Sequence, residues 1–384
     1  MTSRPQRTRN VLTIFGTRPE IIKLAPVLRE LETLSDLHSV VVFSGQHADL
    51  AKPFVRLFGL RVDHDLRLMY PGQTPNQLCA RVVAAVDPVL AAEKPDLVLV
   101  QGDTTTALAS AFAAFHQRIP VGHVEAGLRS GDPLSPYPEE MNRRLITRLA
   151  TFHFAATPRN RETLLAEGVS PNNVFVTGNP VVDALQTILA RNTVSPVLRQ
   201  VLQATEGFRR LTLTTHRRES FGPVLAANLA VLRDFVATHE DVVLVFPVHP
   251  NPQVRGPAGD VLGGLPRVHL LPPLDYCDFI GLLARSWLIV TDSGGVQEEA
   301  PTLGVPLLVL RKNTERPEAV ECGSARLAGE SPELLRALLE EVYRDDCGGR
   351  KVLNPFGQGD SGKRIAALVS LIVNDNIMST GVTC

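Results

Sequence analysis

Paired cysteines, net charge and long apolar runs are all missing from this sequence, and each absence excludes a class of protein. Its five cysteines (Cys79, Cys277, Cys322, Cys347, Cys384) lie far apart, are odd in number and form no Cys-x-x-Cys pair. Neither a disulfide framework nor a zinc cage is expected, and a reducing cytoplasm fits best. Lys and Arg total 39 against 40 Asp and Glu, a formal charge of −1. No global basic field exists for nucleic acid or an anionic membrane, so any anion site must be local. No stretch reaches the ~18 to 20 apolar residues of a membrane span. After the basic head MTSRPQRTRN the apolar run covers only Val11 to Phe15, too short for a signal-peptide core, so the head reads as a frayed tail. Gly-x-Ser-x-Gly, His-Glu-x-x-His and P-loop lysine motifs are absent as well, which removes the usual carriers of serine hydrolysis, zinc hydrolysis and P-loop nucleotide cleavage.

What is present is globular composition: 44% hydrophobic and 21% charged residues over 384 positions, enough for two or three domains. Apolar runs of strand length alternate with segments of helical period, which predicts an α/β fold with parallel sheets covered on both faces. One series of strands is expected at Val11–Phe15, Val40–Phe43, Leu97–Val100, Pro120–His123, Phe152–Ala155 and Val174–Val176. A second is expected at Leu211–Thr214, Val242–Phe246, Val268–Leu271, Leu288–Thr291 and Leu307–Leu310, with helices such as Leu225–Val236 and Pro332–Tyr343. Pro19 is expected at the first position of a helix after the first strand. The two series predict two Rossmann-like domains, 1–180 and 181–359, with the boundary near Asn179 to Asp183. A final helix, about 360–376, follows Asn354-Pro355-Phe356-Gly357. Ligands of such sheets bind outside the carboxyl ends of the strands, which would place the loops of two facing domains around one cleft.

The strongest anion signal is the run from Thr291 to Glu299, TDSGGVQEE, read as strand end, glycine pair and helix start. Free N–H groups around Ser293, Gly294 and Gly295 suit a diphosphate, and Glu299 lies a turn further, within reach of ribose hydroxyls. The plainer alternative is a Ser293 helix cap with a glycine turn. In Gly16-Thr17-Arg18-Pro19-Glu20, Arg18 offers a planar fork to phosphate oxygens and Lys23 follows one turn on, against ordinary surface charge for Lys23. Arg316 is a third loop cation.

Asp103 stands at a strand end, where capping the next helix is the simplest role, and Glu125 lies just past another strand. Glu139 comes from a loop stiffened by two prolines. Three carboxylates are thus expected on one rim, where crowding would leave one protonated as acid and another ionised as base. The alternative is a salt-bridge network with Arg129, Arg143 and Arg144. His216 and His249 also follow strands, and a histidine there can move a proton. His64, between Asp63 and Asp65, is expected in a solvated extended loop. Cations, a diphosphate cradle, carboxylates and a histidine suit making or breaking a bond to a nucleotide diphosphate.

Taken in order, FGTRPE, QGDTTT, HVEAGLR, YPEEMNR, THRRESFG, VHPNP, TDSGGVQEEAP, ERPEA and NPFGQGD, spread over about residues 11 to 375, resemble the non-hydrolysing UDP-N-acetylglucosamine 2-epimerases. The resemblance implies a glycosyltransferase-B architecture whose C-terminal helix crosses back to the first domain. It implies reversible conversion of UDP-GlcNAc to UDP-ManNAc through anti elimination of UDP, a 2-acetamidoglucal and re-addition of UDP. It implies Asp103, Glu125, Glu139 and His216 as the catalytic set, with Arg18, Lys23, Ser293, Gly294, Gly295, Glu299, Arg316 and Phe279 around the nucleotide sugar. It also implies a cytoplasmic homodimer that closes over its substrate, without metal, nicotinamide or other cofactor. Relatives that take a second UDP-GlcNAc as activator use a Gln-His-Arg stretch. Gln46, Arg217 and His249 are kept here, but Ala48 and Asp49 replace the usual continuation, so weak or absent activation is expected. A hydrolysing 2-epimerase, an epimerase of a modified UDP-sugar and a glycosyltransferase of the same fold are the alternatives. Thr104 and the Val124-Glu125-Ala126 run favour the non-hydrolysing branch, and no acceptor groove is legible for a transferase.

Overall fold

The computed structural model describes residues 8–46, 48–217, 221–345 and 354–374. The basic head up to residue 7, His47, the Arg218-Glu219-Ser220 part of THRRESFG, Cys347 and Cys384 lie outside the described residues. Two compact units divide the chain: one runs to Ala184 and resumes at Phe356, the other is Leu185–Pro355. The division falls inside the helix Val181–Arg191.

The first unit is built on a parallel sheet of β1 (Arg9–Phe15), β2 (Leu37–Phe43), β3 (His64–Asp65), β4 (Leu97–Gln101), β5 (Val121–Ala126), β6 (Phe152–Ala155) and β7 (Val174–Val176). Its strand order is β3-β2-β1-β4-β5-β6-β7. β1 is buried from Val11 to Phe15 and pairs Leu12 with Val40 and Ile14 with Val42. Such unbroken apolar runs form strands because helices cover both faces of the sheet. Leu12, Ile14, Val98 and Val100 join Val82, Val86 and Ala111 from covering helices in one core. Each such side chain contributes about 1.5 to 3 kcal/mol relative to exposure. The final helix, Ser361–Asn374, belongs to this unit. The Gly362 N–H donates to Asp183 at 2.9 Å, and the Ser370 hydroxyl donates to Asp36 at 2.7 Å, which draws the Asp36 carboxyl below its ordinary range.

The second unit repeats the plan with β8 (Arg209–Thr214), β9 (Val242–Pro247), β10 (Val268–Leu271), β11 (Leu288–Thr291), β12 (Leu307–Val309) and β13 (Ala325–Leu327). The order β10-β9-β8-β11-β12-β13 is again parallel. In each sheet the winding reverses beside the first strand, between β1 and β4 and between β8 and β11, the place where open α/β sheets bind ligands.

Two short edge strands differ from the expectations. His64 lies in β3, paired to Val42, and its Nε2 is 2.8 Å from Glu93 Oε1, so it is half-buried and partnered rather than free in a loop. β13 is too short to stand out as an apolar run, and its pairing to β12 defines it. The first helix starts one residue early, at Arg18, because Thr17 and Glu20 form its N-terminal turn.

His123 and His153 face each other across β5 and β6, and both are buried. Burial, with the positive charge of Arg129 nearby, pushes His123 down to about 3 and His153 down to about 4. Both rings are therefore neutral in the fold. The depressed values contribute stability that is present above the unfolded value of about 6.5 and is lost as pH falls through the window toward 4. The loss is about 1.4 kcal/mol per histidine per pH unit below 6.5. Urea unfolding at pH 5 should show lower stability than at pH 7.5, and His153→Gln should shrink that difference while leaving the rest of the pH curve in place.

Candidate active site

In the first unit the candidates Arg18, Lys23, Asp103 and Glu125 lie at or just beyond the carboxyl ends of β1, β4 and β5. The turn after β1 is organised by Glu20, which is completely buried. Its carboxylate accepts from Gly16 N–H (3.1 Å), Thr17 N–H (2.8 Å), the Thr17 hydroxyl (2.7 Å) and the Thr104 hydroxyl (2.9 Å). Burial outweighs these donors and raises the Glu20 carboxyl to about 7. Glu20 thus ties the Arg18 turn to the loop of Asp103. Arg18 itself is exposed, with its guanidinium 5.8 Å from the Phe54 ring.

Lys23 is buried, not a surface cation, and its ammonium donates to Glu125. Gln101 donates to the other Glu125 oxygen. Glu125 stands where the register of β5 against β6 shifts, between Val124 and Ala126, and its φ is +66°. Left-handed backbone at a non-glycine residue costs on the order of 1 kcal/mol or more, and a bulge re-aims the side chain it carries. Here it turns the carboxylate toward Lys23 and the Gly102 turn; a β-carbon on Gly102 (φ +69°) would lie 3.6 Å from it.

Asp103 does not cap the next helix; Thr104 does, accepting from Ala107 N–H at 3.0 Å. Asp103 instead accepts from Arg143 Nη2 at 2.5 Å, and its carbonyl accepts from Asn142 Nδ2 at 2.8 Å. Arg143 also donates to fully buried Glu140 (3.2 Å), which accepts from Arg144 (2.8 Å) and Ser130 N–H (3.0 Å). Arg129 pairs with Glu167. The salt-bridge alternative thus describes Asp103, whereas Glu125 pairs with Lys23. Glu139, half-buried, is the first residue of the helix Glu139–Leu149, whose first turn grips Asp103 through Asn142 and Arg143. Gln46 accepts from the Thr106 hydroxyl at 2.8 Å.

In the second unit the loops after β8, β9, β11 and β12 gather the remaining candidates. The helix Gly294–Leu303 begins after Ser293, which makes no side-chain cap bond, so its hydroxyl is not used as the sequence alternative supposed. A β-carbon on Gly294 would lie 2.9 Å from Arg316 Nη1 and 3.4 Å from Arg217 Nη2, whereas one on Gly295 would meet only Ser293 Oγ at 3.9 Å. Two guanidinium groups therefore stand close to the first turn of this helix, beside the positive end of its dipole. Arg316 is aimed by Glu298, Nε to Oε1 at 2.5 Å, and by Glu315 at 3.4 Å. Burial would raise Glu315, but Arg316 and Arg311 together more than offset it, leaving its carboxyl at about 2. Glu299 accepts from the Tyr276 hydroxyl at 2.9 Å, and half-buried Phe279 lies on the same helix, Tyr276–Leu283. His216 and His249 are exposed, their ring centres 6.2 Å apart.

Sequence reasoning missed Glu20, Glu298 and Asp292 as organisers and named Arg143 only within the alternative salt-bridge network. Each stands within quoted motifs, next to or near a candidate, but only the fold shows which donors it takes.

Two doubly wound parallel sheets, one in each unit, define the glycosyltransferase-B class of α/β protein. The family model described as UDP-N-acetylglucosamine 2-epimerase matches residues 29–370, and the chain belongs to that family. It is 44% identical over 363 residues to the UDP-N-acetylglucosamine 2-epimerase of Escherichia coli strain K12, spanning 92% of this chain and 96% of that one. The crystal structure of UDP-GlcNAc 2-epimerase from Neisseria meningitidis bound to UDP-GlcNAc superposes with a TM-score of 0.87 at 39% identity, covering 94% of this chain and 99% of that one. The Methanocaldococcus jannaschii enzyme in complex with UDP-GlcNAc and UDP gives a TM-score of 0.79 at 34% identity, covering 94% and 99%.

Removing Arg143 would take its guanidinium from Asp103 and one of the donors from fully buried Glu140. Arg143→Leu should cost about 3 kcal/mol or more in denaturant unfolding, since breaking a buried pair leaves uncompensated charge; Arg144→Leu, at a more exposed side chain, should cost less.

Proposed function

We propose that this chain is a non-hydrolysing UDP-N-acetylglucosamine 2-epimerase, converting UDP-GlcNAc and UDP-ManNAc reversibly. The observation that carries the reading is Glu125, held at φ +66° with one carboxylate oxygen on Lys23 and the other on Gln101. A strained residue whose carboxylate is fixed by two partners suits proton handling at a defined ring position.

In this mechanism the proton on C2 of the sugar is taken by a carboxylate of the first unit while the C1–O bond breaks and its electron pair leaves with the β-phosphate. The C2 electron pair forms the double bond of 2-acetamidoglucal. UDP then re-adds at C1 as a proton is delivered to the opposite face of C2. Two faces need two proton-handling positions, and Glu125, Asp103 and Glu139 are the candidates. Asp103, oriented by Arg143, suits ordering of the sugar or an acid role assisted by that cation. His216 assists departure of the diphosphate, which Arg316, Arg217 and the Ser293-Gly294-Gly295 turn receive; Arg18 and Lys23 add positive charge, Glu299 takes the ribose and Phe279 flanks the uracil. Thr104, bonded to Glu20, supports the non-hydrolysing branch.

Purified protein incubated with UDP-GlcNAc in D2O and followed by NMR at C1 and C2 should accumulate UDP-ManNAc with deuterium at C2 and intact diphosphate. Free ManNAc would establish the hydrolysing reaction instead. Glu125→Gln should lower turnover by at least ~100-fold, the range of general acid–base catalysis. Gly294→Ala, whose methyl would crowd the Arg316 guanidinium, should weaken UDP binding about tenfold or more in calorimetry, while Gly295→Ala should be tolerated better.

The chain is also inferred to form a homodimer in the cytoplasm. Support comes from exposed Phe112 and Phe115 on the helix Thr105–His116 and Met141 and Leu145 on the neighbouring Glu139–Leu149, and from Cys79, Cys277 and Cys322 as free thiols. Among the described residues no helix is long and apolar enough to cross a membrane. Light scattering of Phe115→Glu against the unchanged chain should show monomer against dimer.

A further inference from the structure

Asp292 is the residue that the candidate set leaves unassigned although the second unit is built around it. It follows β11, whose last residue Thr291 is in register with Thr214 of β8, so Asp292 and Thr215 leave two adjacent parallel strands side by side. The Asp292 N–H donates to Thr214 carbonyl at 3.3 Å, which continues the ladder one residue beyond the strands. Its side chain has no solvent exposure.

A carboxylate so placed is tolerated only when donors surround it. Oδ2 accepts from the Thr215 hydroxyl at 2.6 Å and from Arg217 N–H at 3.0 Å, and the His216 N–H is 3.1 Å from both oxygens. One buried side chain therefore holds the backbone N–H groups of His216 and Arg217 and the hydroxyl of Thr215. The His216 ring is also turned toward it, with Nδ1 3.4 Å from Oδ1, while 44% of the His216 side chain remains exposed. Among the described residues, charged or titratable groups placed around this loop include Arg217 on the loop itself, Arg316 across the Gly294 turn and His249 after β9. His249 Nδ1 accepts from Asn251 N–H at 3.2 Å, so that ring is directed by its own loop.

We propose that Asp292 is a positioning residue for His216: it fixes the loop that carries the ring, holds the proton on Nδ1, and leaves Nε2 for the departing diphosphate. The inference deepens the proposed function and rests on its assignment of His216. The logic is that of any imidazole whose two nitrogens have different partners: the hydrogen bond at one nitrogen decides which form the other presents. A buried carboxylate beside Nδ1 also favours the imidazolium over the neutral ring, so His216 would meet the leaving oxygen as a charged donor.

The test reads the ring directly and does not need turnover. Nitrogen-15 NMR of the full chain, with the His216 signals assigned by their loss in His216→Asn, should show the neutral ring protonated on Nδ1. In Asp292→Asn the titration midpoint of His216 should fall by about 1 pH unit. That variant's kcat should drop about 100-fold, with KM for UDP-GlcNAc changed less than about threefold. A neutral ring protonated on Nε2 in the unsubstituted protein overturns the proposal, and that measurement stands even where Asp292→Asn fails to fold. An unchanged midpoint or an unchanged kcat in a folded Asp292→Asn also overturns it. If the unsubstituted chain leaves UDP-GlcNAc unaltered, the proposed function fails instead, and the ring measurement still decides the positioning claim. Loss of activity in His216→Asn together with the Nε2–H form would leave the reaction standing and remove the role given to Asp292.

Discussion

The site depends on a single electrostatic constraint: a buried carboxylate must be completed by donors, and here the donors are the functional loops themselves. Glu20 is satisfied by the Gly16-Thr17 turn and by Thr104, Asp292 by Thr215 through Arg217, and Glu140 by Arg143, Arg144 and Ser130. None of these three acids is exposed, so none can relax by turning to water. The energetic consequence is rigidity where the chemistry needs it, since moving any of these loops would uncover an unpaired buried charge.

The two units share one topology and carry different side chains on it. In both, the reversal of strand order leaves a crevice at the carboxyl ends, where the first and fourth strands of the unit deliver adjacent loops. The first unit fills that position with acids and a buried lysine. The second fills it with a helix start, two guanidinium groups and a histidine. The common scaffold accounts for placement, and the side chains account for the acidic character of one crevice and the basic character of the other.

Much of this was legible in order along the chain. The apolar runs of β1, β2, β4, β8, β9 and β11 appear as such because strands buried on both faces need no polar alternation. Asp103, Glu125, His216 and Ser293 could be picked out because the carboxyl ends of such strands and the loops after them are where α/β proteins bind ligands. β3 and β13 could not, since two or three residues carry no period and acquire strand character only from their neighbours. Lys23 had no local sign of burial: its helix face is set by where Glu125 lies, 102 positions away.

The sequence by itself determined the alternation of strands and helices, the chain position of each polar turn, and the family to which the motifs point. Those properties follow from local periodicity and residue type. Tertiary structure alone decided which acids are clamped and which stand at strained backbone, that Thr104 rather than Asp103 closes its helix, and that Asp292 gathers the loop of His216. These are choices of partner between segments distant along the chain, fixed by the cost of leaving a polar group buried without one, and no local pattern of residues encodes them.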